Sequence, residues 1–210
     1  MWSLFFDQSF SEGAFGLFNE AQVVEEQYRE LKQARHPPLE WQKLLDRQRL
    51  QLQDVGFFVC GVGPGSYTGL RSAAAVVKAA ALATKKPIVA VSSLLLHVPS
   101  EKGLYRVIVN AGMGCVYAQT IEITAQVCHV GVPERMELEA FLASVQPGMT
   151  IVTNAPGWRA TEVVVPRHLA TVAKVAYQEW AAGRLYTART LPLVYLRKTQ
   201  AEIEAEQKDR

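Results

Sequence analysis

The sequence predicts an α/β protein in two halves, each a mixed sheet with helices laid on it. Three observations carry this. Residues 2–29 hold three short apolar segments with polar links. A compact apolar run, a glycine-rich loop and an alanine-rich helix then follow in direct succession. From about residue 99 the order of strands and helices starts again.

Trp2–Phe6 and Ala14–Phe18 read as strands joined by the polar turn Ser11–Gly13. Gln22–Arg29 reads as a third, with Val23 and Val24 as its clearest β-formers, so the first sheet opens as a meander. His36-Pro37-Pro38 breaks the chain and suits a helix start. Leu39–Asp54 then places Leu39, Trp41, Leu44, Leu45, Leu50 and Leu52 at roughly helical intervals. Val55–Cys60 is a buried strand, Gly61–Gly69 a loop, Leu70–Thr84 a helix and Pro87–Val91 another strand. The restart gives strands at Leu104–Asn110, Val116–Ile123 and Gln126–Val132, a helix at Glu137–Val145, a strand at Thr150–Thr153 and a helix at Leu169–Ala182. The halves divide into an N-terminal lobe, 1–98, and a C-terminal lobe, 99–210. The tail Arg197–Arg210 is charged and reads as a frayed helix or as disorder.

Of 210 residues 49% are apolar and 20% charged, which is enough to bury a sizeable core. The net charge of +2 comes from 22 basic and 20 acidic residues mixed along the chain. No basic stripe is present, which argues against a protein that grips nucleic acid unaided, since phosphate neutralisation dominates that affinity. Met1–Phe6 reaches Asp7 without a basic leader, and the alanine-rich stretches are broken by Lys78, Lys85 and Lys86. Neither a signal peptide nor a membrane span is expected. Cys60, Cys115 and Cys128 show no CxxC spacing. They fit small core hydrophobes in a reducing cytoplasm.

The informative segment is Gly61-Val-Gly63-Pro64-Gly65-Ser66-Tyr-Thr68-Gly69-Leu-Arg71, between a buried strand and a helix. Its glycines permit close backbone approach, and a loop feeding a helix N-terminus presents free N–H groups to an anion. A P-loop needs Lys-Ser/Thr after the last glycine, where Leu70-Arg71 stand. A GxGxxG fails at Ser66, and a nucleophile elbow fails at Pro64 and Thr68. Two readings stay open: an anion site, or a tight strand-to-helix connection capped by Ser66 or Thr68. The helix beyond it is apolar from Ala73 to Ala83 except at Lys78. A helix apolar nearly all round is buried on two sides, either deep inside this protein or between its own sheet and a partner chain, and the short chain favours the partner.

These residues resemble the TsaB (YeaZ-like) family. The loop matches GxGPGSxTGxR, and it is followed by Lys78-Ala-Ala-Ala-Leu-Ala, Pro87 and Val91-Ser92-Ser93-Leu94. Ala81 stands where the family has the glycine of GLA. Phe6-Asp7-Gln8-Ser9 sits at the family's IDTS. Met113-Gly114-Cys115-Val116-Tyr117 resembles the end of DAR-x-GEVY, with Asn110, Gly112 and Cys115 replacing Asp, Arg and Glu. Tyr195-Leu196-Arg197 resembles the end of PxYLR, with Pro192 one place further back. Residues 134–189 carry no matching motif. The resemblance implies a two-lobed actin-like ATPase (ribonuclease-H-like) fold and a non-catalytic scaffold subunit in threonylcarbamoyl transfer to the adenosine beside the tRNA anticodon. It implies pairing with a catalytic paralogue, TsaD, through the two helices of the first lobe, and recruitment of a small ATPase, TsaE. We assign that interface to Leu39, Trp41, Leu45, Ala73, Ala75, Val76, Ala79 and Ala80. Transfer RNA is then met through the complex, ATP or ADP only at its interface, and the isolated chain has the option of a homodimer.

No catalytic residue or metal site is assigned. Catalytic members of this superfamily carry phosphate loops in both lobes, and residues 111–114 and 155–157 read as ordinary turns. The catalytic paralogue's HxxxH metal pair falls in register on Ser93 and His97, which leaves one ligand of two. His36, His129 and His168 have no ligand spacing. Glu25, Glu26, Glu202, Glu204 and Glu206 read as solvated faces. The competing readings are a stand-alone small-molecule kinase or ATPase using Asp7 and the glycine loop, and a peptidase using Ser66, for which no base is evident.

Overall fold

A computed structural model describes residues 1–30, 36–154, 157 and 163–197. Expectations for the tail beyond Arg197, including its glutamates, and for Ala155-Pro156 fall outside the described residues.

β1 (Trp2–Asp7), β2 (Glu12–Asn19) and β3 (Gln22–Glu30) form the expected antiparallel meander. β4 (Val55–Gly61) pairs parallel with β1, and β5 (Ile88–Val91) parallel with β4. The first sheet therefore runs β3-β2-β1-β4-β5. The second half repeats this order. β6 (Gly103–Gly112), β7 (Cys115–Ile123) and β8 (Cys128–Val130) are antiparallel. β9 (Glu134–Glu137) adds to β7 where β8 stops. β10 (Thr150–Thr153) and β11 (Val163–Val164) continue in parallel from β6, giving β8-β7-β6-β10-β11. β9 and β11 carry no legible alternation, being short and mostly exposed.

The helix expected over Leu39–Asp54 is shorter, α1 (Pro37–Arg47), followed by a 3₁₀ turn at Leu52–Asp54. The reason is local. Arg49 takes a left-handed backbone (φ 55°), its N–H reaches the Asp46 carbonyl, and the Leu50 N–H reaches that of Leu45. This double closure ends a helix, ordinarily around glycine. α2 (Tyr67–Thr84) starts three residues earlier than its apolar run, because Ser66 caps it, accepting from the Gly69 N–H at 3.3 Å.

Alternation along β1 fixes the layers. Leu4 and Phe6 face α1 and α2, together with Phe15, Phe58, Trp41, Leu44, Leu45, Ala73, Val77 and Ala81. Phe5 faces the opposite way, with Phe57, Val59 and Val89, into the space between the sheets. The second sheet covers its outer face with α3 (Leu138–Ser144), through Phe141 on Ile108, Val116 and Ile151.

α4 (Ala170–Ala181) fills the space between the sheets. Val172, Ala173, Val175 and Ala176 are buried there, and Trp180 and Tyr177 hold Phe57 between them at 5.8 and 5.1 Å. The chain then returns to the first sheet. Tyr186 bridges Ile88 with hydrogen bonds of 2.7 and 2.8 Å, Leu191 is buried among α1 and α2 residues, and the Val194 N–H donates to the Val62 carbonyl at 2.8 Å. A division at 98/99 follows the two sheets but not the packing, since residues 170–194 belong by contact to the first sheet as much as to the second.

The two lobes should therefore unfold together. Phe57→Ala removes a fully buried ring at the contact with α4, at a cost of about 3–5 kcal/mol. Hydrogen exchange in denaturant should show the amides of β4 and of β6 losing protection in one step. Loss confined to β4 would show the lobes to be independent.

Candidate functional site

Strand β1 ends at Asp7, and its side chain is fully buried beneath the glycine-rich loop. The Ser9 N–H donates to Asp7 Oδ1 at 2.7 Å, and the Ser93 hydroxyl donates to Asp7 Oδ2. Ser93 Oγ in turn accepts from the Gly63 N–H at 2.9 Å and lies 2.6 Å from Ser9 Oγ. Since the one proton of Ser93 goes to Asp7, Ser9 donates to Ser93. Burial outweighs these bonds and pushes the Asp7 carboxyl above its ordinary 3.8.

The glycines of the loop are used for chain-to-chain contact. A Cβ on Gly61 would overlap the Asp7 carboxyl, one on Gly69 the Gln8 carbonyl, and one on Gly65 would lie 2.5 Å from Ser9 Cβ and from its carbonyl oxygen. Gly63, at φ 106°, lies under the Val194 carbonyl. Five of the donors are used as well. The N–H of residue 62 goes to the Val91 carbonyl and that of 66 to the Ser9 carbonyl, while those of 63, 69 and 70 go to Ser93 Oγ, Ser66 Oγ and the Ser66 carbonyl. Of the two readings of the loop, the tight capped connection is the one these contacts describe.

Ser93 and His97, the pair in register with a metal motif, point to different surroundings. Ser93 belongs to the Asp7 network. His97 is 1% exposed, edge-on to Phe10 at 5.5 Å, and burial, with Arg167 adding to it, holds its imidazole down at about 4, so it is neutral. Among the described residues no three His, Cys, Asp or Glu side chains converge as a metal would need. In the second lobe the turn after β6 puts Gly112, Met113 and Gly114 at positive φ, and a Cβ on either glycine would meet nothing within 4 Å. It is an open hairpin turn with Met113 exposed at its tip.

The expected partner surface divides into two. Trp41, Leu45 and Ala73 are buried against the first sheet, with Trp41 Nε1 donating to the Phe5 carbonyl at 2.9 Å. These three leave the outward set, because helical spacing alone does not say which stripe meets the sheet. Val76 and Ala80 lie at the seam, half-buried against the same core. Ala75 and Ala79 are exposed and continue into Leu82, 67% exposed and not picked out by sequence reasoning, while Leu39 is 57% exposed on α1. Among the described residues no helix is long and apolar enough to cross a membrane.

The family model described as TsaD, tRNA N6-adenosine threonylcarbamoyltransferase, matches residues 35–156. The chain belongs to this family of tRNA modification. Its fold is that of YeaZ from Pseudomonas aeruginosa, at TM-score 0.78 and 20% identity, over 93% of this chain and 99% of that one. A second structure, described as a protein with similarity to peptidase YEAZ from Pseudomonas aeruginosa, agrees at TM-score 0.74 and 20% identity over the same shares. This is the actin-like ATPase, ribonuclease-H-like architecture expected from the motifs. No curated protein sequence matches the chain.

Asp7 gives a pH test. A carboxyl whose folded pKa lies above its unfolded value contributes stability that is complete below the unfolded value and lost as pH rises through the folded one. Asp7→Asn keeps the acceptor for Ser9 and cannot ionise. Its stability relative to wild type should rise with pH above 3.8, by at most about 1.4 kcal/mol per pH unit, and then level off. Urea midpoints across pH measure this, and a falling difference would mean that Asp7 is held ionised.

Proposed function

We propose that this chain is a non-catalytic, TsaB-type scaffold subunit in threonylcarbamoyl transfer to the adenosine beside the tRNA anticodon. It acts by binding the catalytic paralogue TsaD and, in the assembled complex, the ATPase TsaE. The observation that carries the reading is the two-sided α2. One face packs on the sheet through Leu70, Ala73, Val77 and Ala81, and the other offers solvent Ala75, Ala79 and Leu82. Small residues along an exposed helix let a second helix approach closely, and Leu82 supplies the bulky apolar group that would anchor it.

Support for a non-catalytic role comes from the first lobe. The glycine-rich loop packs directly on residues 7–9, and the acid at the end of β1 is hydrogen-bonded to Ser9 and Ser93. Nucleotide, ATP or ADP, is then expected only where the complex is assembled, and most of the tRNA is held by the other subunits. The isolated chain, with its α2 stripe uncovered, can pair with a second copy. The cytoplasm is the expected compartment.

Ala75→Arg places a charge in the centre of the proposed interface without touching the core. It should leave the fold within about 0.5 kcal/mol of wild type and weaken binding to the catalytic paralogue by about 2–4 kcal/mol. Val76→Glu, at the half-buried seam, should instead cost stability. Light scattering with the paralogue and thermal melts of the chain alone separate the two effects. A wild-type chain that ignores the paralogue yet turns over ATP by itself would make it a stand-alone kinase or ATPase.

A further inference from the structure

Three of the segments that carry family-like motifs, 61–71, 113–117 and 195–197, are far apart in sequence and meet at one surface. Tyr67, in the first turn of α2, packs its ring on that of Tyr195 at 4.8 Å and 33°. The Arg71 guanidinium lies over the Tyr67 ring, 5.4 Å from its centroid, and donates to the Tyr67 hydroxyl at 3.1 Å. Two residues beyond Tyr195, Arg197 reaches the sulfur of Met113, at 3.9 Å, on the turn after β6. Arg135 on β9 stands opposite Tyr117 on β7, and both Arg135 and Arg197 are close enough to act on the Tyr117 hydroxyl. A ridge results, running from the start of α2 past the turn after β6 to β9 on the second sheet.

Two properties of this ridge stand out for a surface. Tyr67 and Tyr195 are 42% and 44% exposed although they are large and paired. Arg71, Arg135 and Arg197 are exposed and, among the described residues, have no carboxylate partner, a state they share with Arg49 and Arg189, whereas Arg29, Arg47, Arg106, Arg167 and Arg184 each have one. Glu137, one place along the same face of β9 and opposite Cys115, is the acidic group at that end and is not paired to them. Exposed tyrosine rings offer a stacking surface to any base, and uncompensated guanidiniums on both sides of them suit phosphates spaced along a strand. We propose that this ridge is a contact site for single-stranded RNA, taking an unstacked tRNA loop with one base on Tyr195 and the flanking phosphates on Arg71, Arg135 and Arg197. The site rests on the reading of the chain as a subunit of a tRNA-modifying complex. It adds a small direct contact to a grip supplied elsewhere, in keeping with a net charge of only +2.

The position of the ridge fits that task. Tyr67, Arg71, Ala75 and Ala79 are spaced by four along α2, so the ridge begins where the proposed partner stripe ends. RNA bound to the partner would pass directly onto it.

The test uses the assembled complex and a fluorescent tRNA transcript, titrated at salt concentrations from about 50 to 200 mM. The double variant Arg135→Ala/Arg197→Ala should assemble normally and bind tRNA about tenfold more weakly. The slope of log affinity on log salt should fall by about 1.4, which is about 0.7 for each lost phosphate contact on a single strand. Tyr195→Ala should weaken binding at least about fivefold, and Tyr195→Phe should restore it. Affinity and slope unchanged in both variants would overturn the proposal. So would a loss of assembly, which would give the ridge to the protein partner, or a loss of ATP binding with tRNA affinity intact, which would give it to a free nucleotide. Should the wild-type chain form no complex, the same titration on the isolated chain decides the RNA question separately from the subunit reading.

Discussion

Residues 7–9 and the loop 61–69 share one small volume, and much of the molecule is arranged around that fact. The loop approaches so closely that side chains at Gly61, Gly65 and Gly69 would collide with Asp7, Ser9 and Gln8. In exchange Asp7 is sealed from water and satisfied by the Ser9 N–H and the Ser93 hydroxyl, and Ser93 also takes the Gly63 N–H. An unpaired buried carboxylate would be prohibitively costly. Here one acceptor group organises three chain segments, the ends of β1, β4 and β5. The same contact sets the start of α2, because the Ser66 N–H is held by the Ser9 carbonyl while its side chain caps the helix. The result is a buried polar knot at the ends of three strands.

With the start of α2 fixed, its rotation follows. Leu70, Ala73, Ala74, Val77 and Ala81 must face the sheet, and Ala75, Ala79 and Leu82 must then face outward. The exposed stripe is not a leftover of low polarity spread over the surface. It is one edge of a helix whose opposite edge is fully used. α4 does the corresponding work on the far side of the first sheet. By filling the gap between the sheets it joins the lobes through the rings of Phe57, Tyr177 and Trp180.

Much of this was legible in the amino-acid sequence, and the misses have identifiable causes. The long strands and α2 were readable because alternation and apolar runs are strong over six or more residues. β9 and β11 were not, since they are two to four residues long and held by pairing rather than by burial. The end of α1 was overestimated because its stop is made by Arg49 in a left-handed conformation, where a reader of sequence looks for glycine. The lobe division missed the return of residues 185–194 to the first sheet, a long-range contact with no local signature. Within the site, the glycine loop announced close approach, but it could not say whether a phosphate or the chain itself approached. Trp41, Leu45 and Ala73 were drawn outward for a similar reason, since periodicity identifies a stripe without identifying what covers it.

The glycine-rich motif also has consequences at a distance from its glycines. Its Tyr67 and Arg71 are carried on the first turn of α2, which the Ser9–Ser66 contact holds in place. The segment that reaches them, ending in Tyr195 and Arg197, is itself anchored by the Val194 N–H on the Val62 carbonyl, the first bond of the loop. Packing of the loop against residues 7–9 thus orients two side chains at its far end, and the strand-like bond to Val194 brings two more alongside. Gly63 makes this approach feasible, since any side chain there would meet the Val194 carbonyl. The glycines that let the loop pack on residues 7–9 inside the lobe thereby hold an aromatic and cationic ridge in register outside it, so the motif contributes shape at both places.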